Sequence, residues 1–222
     1  MAGYEQRFKP LPKTILDFGK LNLYTDKLDG GERRPTFAFK VIRGFVHATV
    51  RTGIPTDVKN GYMSVRIDPK NFYSLMILFK EVLDEKRSSI RLTIEDRIYN
   101  EETRKYDEEM VPMGAIKICR DKDKRIYISL VIDKRPKIQF YFGKEFNSVL
   151  KKEGGTEFTE AEYSQLFAQS YYMMMKDLIP KVLIDTSNTI FDSPFVGNID
   201  NKPTQSESSS DTLPEPDDDI PF

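Results

Sequence analysis

Alternating apolar and polar positions begin at Phe37 and run, with interruptions, to Phe142. Phe37, Phe39 and Val41 alternate with Ala38, Lys40 and Ile42, the two-residue period of a half-buried strand. Gly44 predicts a bulge or bend, and Phe45 to Arg51 reads as a second strand or the second half of one long, bent strand. Pro55 to Gly61 is a turn region. From Tyr62 to Asp68, Met63, Val65 and Ile67 take one face, with Tyr62, Ser64 and Arg66 on the other. The period then lengthens. Asp68-Pro69 supplies an N-cap and a first-turn proline, and Phe72, Leu75, Met76, Phe79, Val82 and Leu83 recur at helical spacing, predicting a helix that ends near Lys86 or Arg87. Strand alternation resumes from Ser89 to Tyr99, with Ile90, Leu92 and Ile94 inward. Asn100 to Glu109 reads as a charged loop, and Val111 to Arg120 as a strand with Ile116 and Ile118 inward. After a tight turn at Asp121–Lys124, Arg125 to Asp133 sets Ile126, Ile128, Leu130 and Ile132 against Arg125, Tyr127, Ser129, Val131 and Asp133. Pro136 breaks the pattern, and Lys137 to Phe142 follows with Ile138, Phe140 and Phe142 inward.

Beyond Gly143 the period changes again. Thr159 to Leu178 reads as a long helix, with Thr159 and Glu162 forming a capping box. Its core-facing stripe is assigned to Tyr163, Leu166, Phe167, Ser170, Met174 and Leu178. Pro180 is expected to end it, leaving Val182 to Phe195 as a last strand or strap. Residues 1–36, broken by Pro10, Pro12, Gly30, Gly31 and Pro35, read as an arm packing on the body, basic and aromatic at Tyr4, Arg7, Phe8, Lys9 and Lys13. The sum is a mainly β chain with helical additions (α+β). Strands that follow one another through short turns fit an antiparallel barrel, and an OB-fold-like barrel elaborated by two helices is the expected architecture over residues 37–200. A ferredoxin-like sheet with two helices also satisfies the pattern.

Charge placement changes the picture more than total charge does. The 222 residues carry 34 Lys and Arg against 35 Asp and Glu, but residues 203–222 hold Glu207, Asp211, Glu215, Asp217, Asp218 and Asp219 and no base. The remaining 29 acids face 34 bases, a mildly basic body. Residues 201–222 are polar and rich in Ser, Thr, Pro and Glu, the composition of a disordered tail. Cys119 is the one cysteine, so no intrachain disulfide forms and a cytoplasmic setting is expected. With His47 the only histidine, an ordinary structural zinc site has no ligand set, and no cofactor is expected. No apolar run reaches the roughly 20 residues of a membrane span, and no signal peptide is read.

The outward faces of the strands carry the candidate chemistry. Phe45, His47 and Arg51 share one strand and Tyr62 and Arg66 the next; Arg91, Arg97 and Tyr99 follow, then Lys117, Arg125 with Tyr127, and Lys137 with Tyr141. Cations for phosphates beside flat rings for unstacked bases are what single-stranded nucleic acid requires. Each residue alone reads better as cross-strand pairing on a solvated sheet; recurrence from strand to strand is the signal. The acids Glu95, Asp96, Asp121, Asp123 and Asp133 near strand ends keep a metal-dependent nuclease as an alternative, although no familiar spacing joins them. No Gly-rich phosphate loop or Ser-His-Asp set is found, and a non-enzymatic role is expected.

The last six residues, Asp217-Asp218-Asp219-Ile220-Pro221-Phe222, add a resemblance. In type, order and terminal position they resemble the tail tip of bacterial single-stranded DNA-binding proteins. The body carries no alignable signature and no Trp, so the chain looks like a phage-type single-stranded DNA-binding protein bearing that tip. The resemblance implies a role in replication, recombination and repair in the cytoplasm of a bacterial host. It also implies docking of the tip on host or phage replication and repair proteins. A terminal ring filling a pocket beside a captured carboxylate, with the aspartates on a basic rim, is the chemistry of such docking. An adaptor that diverts host tail-reading proteins without binding DNA is a further alternative. The pattern leaves room for a homo-oligomer and gives no sign of a membrane partner.

Overall fold

The structure, a computed structural model, describes residues 14–17, 19–100, 103, 105–143 and 150–191. It is a mixed α+β architecture of two four-stranded antiparallel sheets and two α-helices. The first sheet has the order β1-β2-β3-β4, formed by β1 (Leu23–Tyr24), β2 (Thr36–Ile42), β3 (Phe45–Arg51) and β4 (Tyr62–Ile67). Helix α1 (Pro69–Leu83) leads to the second sheet, ordered β5-β6-β7-β8: β5 (Ser89–Asn100), β6 (Lys105–Arg120), β7 (Ile126–Val131) and β8 (Phe140–Tyr141). Helix α2 (Glu160–Phe191) closes the described chain. No hydrogen-bonded ladder joins the two sheets among the described residues, so the expected closed barrel is not formed. They approach at both margins, β1 lying against β8 and β4 against β5 and β6.

Local chemistry explains most element boundaries. Ile42 pairs with Phe45, so Arg43 and Gly44 alone make the turn; both have positive φ (51° and 77°), the two-residue turn whose twist matches its strands. β2 and β3 are therefore two strands of a hairpin. At the start of α1, Asp68 takes the extended N-cap conformation before Pro69, but its side chain makes no capping hydrogen bond. The helix stops at Leu83, short of Lys86, because Glu85 turns into the left-handed region (φ 61°). The Lys86 N–H then donates to the Glu81 carbonyl (2.9 Å) and the Glu85 N–H to that of Val82 (3.3 Å), a Schellman closure. The Arg120 guanidinium on β6 donates to the carbonyls of Val82 (3.0 Å) and Leu83 (3.4 Å), and Gln165 on α2 donates to Leu83 (3.0 Å). The orphan carbonyls of α1 thus anchor both neighbours.

Four expectations are corrected. Lys105 to Glu109 is strand rather than loop, because the β5–β6 ladder continues to Asn100↔Lys105. The ladder has register shifts between Ile94 and Glu95 and between Arg97 and Tyr99. The segment from Lys137 keeps its inward Ile138, Phe140 and Phe142, but only Phe140–Tyr141 is strand, paired with Ile128 and Tyr127 of β7. Helix α2 passes through Pro180 to Phe191. An interior proline costs about 3 kcal/mol, whereas burying Ile179 and Val182 contributes about 1.5–3 kcal/mol each. The stripe of α2 is also rotated: Tyr163, Ser164, Ala168, Tyr171, Met175, Ile179 and Val182 are buried, while Leu166, Ser170 and Met174 are exposed. The capping box forms as expected. The Thr159 N–H donates to Glu162 Oε2 (2.8 Å), and the Glu162 N–H donates to Thr159 Oγ1 (3.3 Å).

The core is a chain of rings. Phe37 of β2 meets Phe39 (5.2 Å between centroids) and Phe140 of β8 (5.8 Å); Phe39 meets Phe72 of α1 (5.4 Å); Phe142 meets Phe79 of α1 (5.8 Å) and Tyr171 of α2 (5.4 Å). Before β1 the chain buries Leu16 and ties Asp17 to Lys40 (2.9 Å), so residues 14–17 and 19–24 lie as a strap on the first sheet. Gly114 marks where β6 crosses β4: a Cβ there would sit 2.8 Å from Val65 Cγ2 and 3.0 Å from the Val131 carbonyl oxygen.

Gly114→Ala is expected to destabilise the fold by about 1–3 kcal/mol through overpacking, read as a lower urea midpoint with an unchanged slope. The capping box makes a second prediction. Hydrogen bonds from Lys152 and then from the Thr159 N–H and hydroxyl lower the Glu162 carboxyl from its ordinary 4.5 to about 2. A depressed carboxylate stabilises the folded state above pH 4.5 and loses that contribution as pH falls toward 2. Urea midpoints measured across that window fall less steeply with pH for Glu162→Gln than for the wild type.

Candidate nucleic-acid interface

Pairing register sorts the predicted residues into three groups. The outer face of the first sheet carries rows in which Lys40, His47 and Arg66 stand side by side, Ile42 stands beside Phe45, and Arg51 lies beside Tyr62. Here cations meet rings within the protein: Arg66 sits 4.7 Å from the Phe45 centroid and Arg51 sits 5.8 Å from that of Tyr62. Arg66 also forms an ion pair with Asp96 of β5. His47 Nδ1 lies 3.2 Å from Ser64 Oγ, and burial, then the charge of Arg66, push the imidazole below its usual value. His47 is therefore neutral at physiological pH and adds no charge to this face.

The outer face of the second sheet carries the second group. Arg91 of β5 pairs with Lys117 of β6, which pairs with Ser129 of β7; in the adjacent row Ser89, Cys119, Tyr127 and Tyr141 stand together. Lys117, Tyr127, Lys137 and Tyr141 line one cleft of about 390 Å³, completed by Thr25, Leu28, Ser129, Val131, Ile138 and Gln139. Thr25 and Tyr141 also border a second cleft, of about 820 Å³, whose wall includes Tyr24, Arg34, Arg125, Phe142 and Phe167. The two clefts meet at Tyr141. Arg91 and Lys137 are exposed, and Lys117 and Tyr141 half-buried.

Two residues of this group differ from expectation. Tyr127 is 7 % exposed rather than outward and solvated; its ring lies 5.2 Å from that of Tyr141 and cannot offer a face to a base. Burial, then the neighbouring Cys119, pushes its phenol up to about 12. Tyr141, half-buried above it, lines both clefts. Arg125 is flanked by acids: Asp121 (3.1 Å), Asp123 (3.7 Å) and Glu160 (3.4 Å), and it stacks on Tyr141 at 4.7 Å. Its charge is compensated locally, and its guanidinium holds Tyr141 in place. Partial burial would raise the Asp121 carboxyl, but hydrogen bonds from the Arg125 backbone and side chain hold it below the usual range. That acid stabilises the β6–β7 turn, and among the described residues no three His, Cys, Asp or Glu side chains gather to hold a metal ion. Asp96, engaged by Arg66, belongs to the same pattern of paired acids.

The third group stands apart. Arg97 lies on the outer part of the β5–β6 ribbon opposite Met110, and Tyr99 pairs with Tyr106 there; the Tyr99 side chain lies outside the described residues. So do residues 1–13, with the basic-aromatic start of the arm, and residues 192–222, with the tip Asp217 to Phe222.

No protein-family model, curated protein or solved structure matches this chain. What the site can do must be read from its own chemistry. Thr25 and Arg34, which periodicity did not single out, reach it through the short β1 pairing and the loop after it; two residues of strand leave no period to detect. Among the described residues no helix is long and apolar enough to cross a membrane.

Proposed function

We propose that this protein binds single-stranded DNA along the outer face of the second sheet. Its C-terminal tip then recruits replication, recombination and repair proteins, as in a phage-type single-stranded DNA-binding protein. The observation that carries the reading is the cleft lined by Lys117, Lys137 and Tyr141, with Arg91 beside Lys117 in the same row. Lysines over a shallow cleft track a phosphate chain, and a ring at its end offers a stacking surface whatever the base. The outer face of the first sheet is a weaker candidate, because Lys40 is paired with Asp17, Arg66 is paired with Asp96 and His47 adds no charge there. An OB-like arrangement of β2 to β6 belongs to the same proposal: a three-stranded meander, a helix and a long hairpin, with Gly114 bringing β6 onto β4, follow the course of a partly open barrel. The acidic tip supports the second half of the reading through its sequence.

Fluorescence anisotropy with labelled oligo(dT) and a duplex of equal length tests the DNA half. Single strands are expected to bind far more tightly than duplex. Tyr141→Leu should weaken oligo(dT) binding by about 1–3 kcal/mol, the value of one stacked base. The pair Lys117→Ala and Lys137→Ala should flatten the log K against log salt slope by about 1.4, and Arg125→Ala should leave the slope unchanged. Equal affinity for duplex, or wild-type binding by both the Tyr141 and the lysine variants, overturns the assignment.

Pull-down from bacterial lysate tests the tip. Deleting Phe222 removes a ring and shifts the terminal carboxylate without removing an aspartate. It is expected to abolish capture of tail-reading proteins and leave oligo(dT) affinity unchanged. Identical partner sets with and without Phe222 would reduce the tip to an acidic brush.

A further inference from the structure

The outer half of the β5–β6 hairpin carries surface that the proposed DNA cleft does not use. Ile90, Ile94, Ile116 and Ile118 are buried, but from Glu95 to Ile98 and from Lys105 to Met113 no side chain is. At about 3.3 Å per residue, the Lys105–Met113 stretch projects roughly 30 Å. Ile98, Met110 and Met113 stand 49 %, 61 % and 44 % exposed along it. Both margins of this ribbon are bare among the described residues: β5 is an edge strand, and β6 pairs with β7 only from Ala115 onward. An isolated two-stranded ribbon is marginally stable in water, and open margins beside exposed apolar side chains form a surface suited to docking.

Charge decides the occupant. With Asp96 tied to Arg66, the ribbon presents Glu95, Asp107, Glu108 and Glu109 against Arg97 and Lys105. Such a surface repels a nucleic-acid backbone and repels a second ribbon of the same kind. With residues 95–113 and 203–222 set aside, the other residues carry 31 bases and 22 acids. We propose that the ribbon of one copy docks on the basic body of a second copy of this chain, with Ile98, Met110 and Met113 as anchors and Glu108 and Glu109 setting the attraction. In a two-fold pair each ribbon reaches the other body, so every contact is made twice. The acids steer association and make it salt-sensitive; the apolar side chains set how long it lasts.

Sedimentation velocity of the full chain from low micromolar to about 100 µM reads the outcome. The wild type is expected to dimerise, and raising the salt tenfold is expected to weaken the dimer. Two double variants at exposed positions, Met110→Ser with Met113→Ser and Glu108→Lys with Glu109→Lys, should each weaken association about tenfold or more, with far-UV circular dichroism unchanged. Because one pair removes apolar surface and the other reverses charge, a folding defect in one leaves the other as the test. A wild type that stays monomeric across the range overturns the proposal, even if the ribbon captures some other basic protein. So does either folded pair that associates as tightly as the wild type.

Discussion

The two sheets share no hydrogen-bonded ladder among the described residues, and the rings between them take over that task. Phe37 of the first sheet against Phe140 of the second, with Phe39 and Phe142 reaching the two helices, makes one continuous aromatic contact through the molecule. A buried Phe typically contributes about 3–5 kcal/mol, against a total stability of about 5–15 kcal/mol for an ordinary domain. The rings hold the relative placement of the sheets together with the nearly buried Arg135–Asp57 ion pair and the close approach of Gly114 to Val65. Placement of the clefts hangs on the rings too, since Tyr141 lies between Phe140 and Phe142 and cannot move without both.

Strict alternation was the most legible part of the sequence. β4 and β7 bury the inward residues that their period assigns, and α1 buries its whole predicted stripe. The Thr159–Glu162 box set the start of α2 because both partners lie within one turn. Its face and its end were hidden for a tertiary reason. Many positions of α2 are apolar or aromatic, so period alone does not select the buried stripe. Passage through Pro180 depends on a core that accepts Ile179 and Val182.

The site was legible as residue types and illegible as charges. Arg125 is neutralised partly by Glu160, 35 positions away, and Arg66 by Asp96, 30 positions away; neither pairing has a local sequence signal. Tyr127 alternates correctly as an outward residue, yet it is covered because β8 brings Tyr141 over it. Counting bases along strands therefore placed Arg91 and Lys117 in one row of the second sheet and overcounted the cations and rings left open on it.

The two register shifts in the β5–β6 ribbon have a consequence for self-association of another kind. A long, regular, exposed strand edge can template identical edges without limit, as amyloid does. Here irregularities between Ile94 and Glu95 and between Arg97 and Tyr99 break the backbone repeat within a few residues of each other, and acids stand along the margin. Irregular, charged edges are how sheet proteins stop strand addition from propagating. The ribbon can thus remain in open solvent, with apolar side chains on it, without seeding a growing fibre.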